Sequence, residues 1–260
     1  MSLDFNNKTV FISGASSGIG LACAQLFAKA GAKLILLARR ADRLAHLAAQ
    51  LAAAHGTQSL VFAVDVCDYL AVEKICKGLS QQWSEIDVLI NNAGLALGKD
   101  KIQDALLADW EQMINTNIKS LFYITHALLP SMLKRNQGHI INIGSIAGRQ
   151  VYPGGAVYCA TKQAVKAFSD ALRLDVNGSA LRVTCIEPGM VETEFSTVRF
   201  KGDVGLSQQT YTGIAALTAE DIADAIFYCA TRPTHVNIQD MLITPTAQAS
   251  VNLIHRESKE

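Results

Sequence analysis

Apolar residues fall along this chain in two alternating patterns. Short, nearly continuous apolar runs occupy 9–13, 33–38, 59–64, 87–90, 139–143, 182–186 and 240–243. Runs that are apolar at almost every position suit parallel strands covered on both faces. Between them lie longer segments rich in Ala and Leu with helical spacing, as at 20–30 and 42–54, and longer ones at about 104–135 and 158–176. Strand and helix patterns alternating from end to end predict an α/β fold with a doubly wound parallel sheet of Rossmann type. About seven strands are expected, with helices on both faces, in one domain spanning 1–260. Two stretches break the rhythm. Residues 188–212 form a long polar excursion after a strand, and the tail over 244–260 has no strong period. Ligands in such sheets bind beyond the carboxyl ends of the strands, so the first stretch reads as a substrate loop.

Composition narrows the picture. Half of the 260 residues are hydrophobic and 18% are charged, enough to fill a core. Lys plus Arg and Asp plus Glu both number 23. A balanced charge gives no reason to expect nucleic acid or an anionic membrane as partner. No apolar run approaches the length of a membrane span, and the first ten residues lack a secretory pattern. The six cysteines make no CxxC pair and mostly sit in apolar segments, so core thiols in a reducing cytoplasm are expected. The six histidines make no HxxxH, so no protein-ligated metal is expected.

The first strand runs into Ser13-Gly14-Ala15-Ser16-Ser17-Gly18-Ile19-Gly20, and a helical pattern follows. Gly14 suits a tight turn, Gly18 a close approach of backbone to a pyrophosphate, and Gly20 close helix packing on the sheet. Free N–H groups around Ser17 and Ile19 at the helix start then face phosphate. The second strand ends in Arg39-Arg40, where an NAD site carries an acid for the ribose 2′-hydroxyl. Guanidinium groups suit a 2′-phosphate instead, with Ser16 as a further contact, so NADP(H) is the expected cofactor. Asp65, followed by Val66, can accept from an adenine amino group. Asn91-Asn92-Ala93-Gly94 ends the fourth strand with small residues that let a cofactor lie close. Asp87 reads as structural.

Tyr158 and Lys162 are four apart in a helical segment and share one face. A nearby ammonium favours the phenolate and lowers a tyrosine's pKa from about 10. Ser145 follows the fifth strand, where its hydroxyl can hold a substrate oxygen. Asn117 lies in a helical region and needs polar partners.

These motifs together, with Pro188-Gly189 followed by Val191-Glu192-Thr193, resemble the short-chain dehydrogenase/reductase family over nearly the whole chain. One departure is Ser13, where the family usually has Thr; the hydroxyl is kept. The resemblance implies direct hydride transfer between a nicotinamide and a carbinol. Tyr158 would be the general acid/base, and Lys162 would lower its pKa and bind the nicotinamide ribose. Ser145 would orient the carbonyl oxygen, and Asn117 would hold a water relaying protons from Lys162. Asn91, the segment 186–189 and Thr193 would line the nicotinamide end.

In place of the family's common glycine-rich "DGG" turn, this chain ends Asp240-Met241-Leu242-Ile243-Thr244-Pro245-Thr246-Ala247-Gln248. With Val198-Arg199-Phe200 and Gly148-Arg149 before Tyr152-Pro153, that tail resembles the NADP-dependent 3-hydroxy acid dehydrogenases. Their substrates include L-serine, L-allo-threonine and 3-hydroxyisobutyrate. A small acid needs a cation near the reacting carbon, and Arg149 and Arg199 are the candidates. Arg149 ranks first, being four residues from Ser145. The same mechanism on sulfoacetaldehyde, a diketone or another carbonyl compound is the nearest alternative; a non-catalytic NADP(H) sensor is the alternative from a different class. Family resemblance further implies a homotetramer, with the tail lying on a neighbour's surface.

Overall fold

The computed structural model describes residues 5–257. The expectations for the extreme N-terminus and for the last three residues of the tail therefore fall outside the described residues. In chain order the elements are β1 (Thr9–Ser13), α1 (Gly18–Lys29), β2 (Lys33–Ala38), α2 (Ala41–His55), β3 (Ser59–Ala63), α3 (Tyr69–Lys77), β4 (Ile86–Asn91), α4 (Leu107–Ile114), α5 (Ser120–Arg135), β5 (Gly138–Ile143), α6 (Ala156–Asp175), β6 (Leu181–Pro188), α7 (Glu194–Arg199), α8 (Val204–Tyr211), α9 (Ala219–Ala230) and β7 (Asp240–Ile243). The strands form one sheet in the order β3-β2-β1-β4-β5-β6-β7, and every pair is parallel.

Alternation along the strands explains why both faces are apolar. Val10, Ile12, Leu34 and Leu36 enter one core, where Phe5, Phe27 and Phe227 stack their rings. Phe11, Ile35 and Leu37 point the other way, into a core shared with Ile124 and Leu128 of α5 and Leu172 of α6. A strand buried on both sides must be apolar at odd and even positions alike.

Three segments differ from the sequence reading. The 104–135 segment is not one helix. It begins at Leu107 and is interrupted by a wide π turn over Asn115–Lys119. The excursion at 188–212 contains two short helices. Thr193 caps α7 by accepting from the Phe195 N–H at 3.2 Å, and Asp203 caps α8 by accepting from the Leu206 N–H at 2.9 Å. The tail, read as without period, folds into a small hairpin in which Gln248 pairs with Ile254 and the Val251 N–H bonds the Gln150 side chain at 2.8 Å. Asp87 is structural: it accepts the Thr9 N–H at 2.9 Å at the start of β4.

Candidate active site

β1 is flanked by β2 on one side and β4 on the other, so the chain reverses its winding there. The crevice above that switch point is where such sheets bind ligands. Here it opens into a cavity of about 760 Å³. Gly14, with φ of +68°, turns the chain sharply out of β1. Gly20 does not face the cavity; a Cβ on it would sit 2.4 Å from the Gly14 carbonyl oxygen, so it allows α1 to pack on the turn. The Ser13 hydroxyl accepts the N–H groups of Asn92 and Ala93 at 3.0 and 3.1 Å, tying the end of β4 to β1. The hydroxyl is what that position requires, and serine supplies it.

One end of the cavity is cationic. Arg40 donates to Ser16 at 3.0 Å through Nη2, and through the same nitrogen to Ser17 at 2.7 Å. Its Nη1 bonds Glu194 at 2.8 Å, and Arg43 bonds the other oxygen of that carboxylate at 2.6 Å. Both arginines hold the Glu194 carboxyl below its usual range. Arg39 is exposed at the same rim, with Asp65 and Val66 alongside. No acid ends β2, and two cations and two hydroxyls converge there, so these residues fit a phosphorylated ribose. Gly18, Ile19, Ala93, Gly94 and Val191 line the middle.

The opposite end holds Ser145, Tyr158 and Lys162, all buried. Tyr158 and Lys162 stand one turn apart on α6, with the Lys162 Nζ 5.9 Å from the phenol ring centre. Gly148 lets the turn after β5 pack closely on α6: a Cβ there would lie 2.7 Å from the Lys162 carbonyl oxygen. Lys162 donates to the Ile143 carbonyl at 2.8 Å, and burial pushes its pKa down to about 8. Tyr158 departs from the expected lowering. Burial raises its pKa, and the neighbouring Tyr152 adds to the rise. The Ser145 hydrogen bond and the charge of Arg199 oppose it, but desolvation of the phenolate outweighs them. Pro188, Gly189 and Thr193 close this end on the β6 side.

The structure separates the two arginines proposed as substrate anchors. Arg149 does not reach the cavity. Its guanidinium pairs with the fully buried Glu187 through Nε at 2.7 Å and lies 3.7 Å from Asp240. Arg199 does reach it. Its Nη2 donates to the Tyr152 hydroxyl at 2.8 Å and its Nε to the Gly98 carbonyl at 3.2 Å. Its central carbon lies 5.7 Å from the Tyr158 ring centre. Among the described residues no carboxylate pairs with it. α7 therefore spans the site, with Glu194 at the cationic end and Arg199 beside Tyr158.

Two further expected residues stand behind the cavity wall. Asn117 accepts the Leu95 N–H at 2.8 Å and donates to the Leu95 carbonyl at 2.8 Å and to Thr161 at 3.0 Å. Both amide hydrogens are spent, so its side chain has no N–H left for a water. Asn91 donates to Thr125 at 3.0 Å and to Asn142 at 2.9 Å, below the sheet's end. Sequence reasoning missed Leu95, Phe195, Gln248, Val251 and Ile254, which line the cavity. The Phe195 ring packs edge-on against Tyr158 at 5.7 Å. Nothing in local spacing marks these positions; the loop after β4, α7 and the tail bring them in.

The short chain dehydrogenase family model matches residues 8–203. The chain belongs to that family. It is 48% identical over 249 residues to an NADP-dependent 3-hydroxy acid dehydrogenase of Salmonella typhimurium, covering 95% of this chain and 99% of that one. It is 46% identical over 241 residues to sulfoacetaldehyde reductase 2 of Chromohalobacter salexigens, covering 92% and 95%. Among solved structures, the closed form of serine dehydrogenase complexed with NADP+ superposes with a TM-score of 0.90 at 45% identity, covering 96% of this chain and all of that one. Members of this family are oxidoreductases, and this chain is an enzyme of that kind acting on CH–OH groups.

Proposed function

We propose that the enzyme moves a hydride between NADP(H) and a small 3-hydroxy acid or its semialdehyde. The observation that carries the substrate class is Arg199, a cation with no counterion among the described residues, held against the Tyr158 ring. An uncompensated guanidinium beside a reacting oxygen calls for an anion on the substrate. NADP(H), when bound, supplies or accepts the hydride. The residues at Arg39, Arg40, Ser16 and Ser17 would hold its 2′-phosphate, and Lys162 its nicotinamide ribose.

The chain's own residues do the rest. The Ser145 hydroxyl directs a hydrogen bond at the substrate oxygen. Tyr158, kept protonated by burial, delivers its proton to that oxygen in the reducing direction and takes one back in the oxidising direction. Arg199 grips the acid group and so points the carbinol carbon at the cofactor. Asn117 acts on Leu95 and Thr161, fixing the loop after β4 to α6. A sulfonate would suit the same cation, and the 46% identity to a sulfoacetaldehyde reductase favours that as a second reading. The enzyme is proposed to work in the cytoplasm.

The test pairs Tyr158→Phe with NADPH binding. Turnover of L-serine, 3-hydroxyisobutyrate and sulfoacetaldehyde should fall by roughly 10²-fold or more, with NADPH binding kept. A sensor would instead show no turnover of any carbonyl by the unmutated protein.

A further inference from the structure

The C-terminal hairpin puts one polar side chain into the cavity wall that no catalytic motif accounts for. Gln248 is 4% exposed and lines the cavity together with Ser145 and Arg199. Its Oε1 accepts the Met190 N–H at 2.9 Å. It also lies against Gly189, where a Cβ would come within 2.3 Å of it. Flipping the amide would turn its NH₂ onto the Met190 N–H, donor against donor, so the amide has one orientation. Met190 is two residues beyond Pro188, whose carbonyl lies 3.4 Å from the Ser145 hydroxyl oxygen. The amide is thus pinned at the side of the cavity where Ser145 stands.

Its other end is unspent. Among the described residues nothing accepts a hydrogen bond from the Gln248 Nε2. The residue is nearly buried, yet this nitrogen is not sealed in protein and opens to the cavity, where an oxygen of a bound molecule can accept from it. The hairpin around it is well tied. The Gln248 N–H bonds the Pro245 carbonyl at 2.8 Å, and the His255 N–H bonds the Ala247 carbonyl at 2.8 Å. The Val251 N–H bonds the Gln150 side chain at 2.8 Å. The donor is preorganised rather than loose.

We infer that Gln248 is a specificity-determining residue whose amide N–H binds an oxygen of the substrate's acid group, sharing that group with Arg199. This rests on the hydroxy-acid reading of the site. Arg199 supplies charge, and Gln248 supplies a directed donor from the tail. The tail therefore selects substrates from within its own chain.

The test is Gln248→Glu, which is isosteric. A carboxylate still accepts the Met190 N–H, while the donor facing the cavity becomes an anionic acceptor. Catalytic efficiency is measured in both proteins with 3-hydroxypropanoate and with propanal, alongside NADPH affinity and melting temperature. The acid-to-aldehyde ratio should fall by roughly 10²-fold, mostly through KM, because a charge-assisted contact becomes a repulsion. NADPH affinity should stay within about twofold, since uniform binding of the cofactor is untouched. Should Gln248→Glu fold poorly, Gln248→Met removes the donor without adding charge, and the ratio should still fall by about tenfold. An unchanged ratio in a folded variant, or an equal loss on both substrates with weakened NADPH binding, overturns the inference and assigns the amide to the fold or the cofactor. If the unmutated enzyme shows no preference for the acid over propanal, the hydroxy-acid reading itself falls and takes this inference with it.

Discussion

A single arginine's surroundings decide whether it serves the substrate or the fold. Arg149 and Arg199 look alike in the sequence, each a cation close to a motif. Arg149 is spent on Glu187, which is fully buried. Removing it leaves a buried carboxylate without its main partner, so Arg149→Ala should cost about 1–3 kcal/mol of stability. Acid and neutral substrates should then lose activity equally. Arg199→Met should behave in the opposite way. Use of 3-hydroxy acids should fall by an amount equivalent to roughly 2–5 kcal/mol, with uncharged aldehydes hurt far less. Denaturant melts and paired substrate kinetics check both, and the reverse pattern would restore Arg149 as the anchor. Tyr158 carries a second prediction. Its raised pKa keeps the phenol protonated near neutrality, which suits carbonyl reduction. Alcohol oxidation needs the deprotonated form, so its catalytic efficiency should climb with pH over about 7 to 10. Efficiency in reduction should hold level or fall over the same range. An oxidation profile flat with pH would remove Tyr158 as the titrating base.

Elements, more than residues, set the distance between cofactor and substrate. The end of β2, which neighbours β1 in the sheet, and the turn from β1 into α1 bring Arg39, Arg40, Ser16 and Ser17 to one rim. That placement was legible in the sequence, because the strand–turn–helix order dictates it. Arg39→Asp restores an acid at the strand end and should shift preference from NADPH toward NADH. Comparable efficiency with both cofactors in the unmutated enzyme would contradict the role of the arginine pair. α7 was not legible. Its six residues read as polar loop, since so short a helix has no period to detect and depends on the Thr193 cap. The π turn over Asn115–Lys119 was equally hidden. Within it Asn117 hydrogen-bonds to Leu95 and Thr161, contacts distant in sequence that no local period announces.

At the scale of the whole molecule, apolar surface remains uncovered on α4 and α5. Leu107 is 70% exposed, and Phe122, packed on Phe168 of α6 at 4.7 Å between ring centres, is 38% exposed. Leu242 on the edge strand β7 and Tyr228 on α9 are exposed as well. Two such faces on one subunit are what a tetramer of twofold contacts needs. Light scattering at micromolar concentration should give a mass about four times 28.0 kDa, and a monomer would refute the assembly. The sequence by itself determined the sheet, the phosphate turn and the Ser145, Tyr158 and Lys162 set. The sheet and the turn are written in local periods, because backbone geometry repeats every two or 3.6 residues. The catalytic set was legible through the family resemblance of several motifs together. Only the tertiary structure decided that Arg199 rather than Arg149 faces the cavity and that burial lifts Tyr158. It alone brought Gln248 from the tail to the Ser145 side of the site. Those facts depend on contacts between segments far apart in the chain, and side-chain direction, desolvation and charge pairing are properties of the packed molecule.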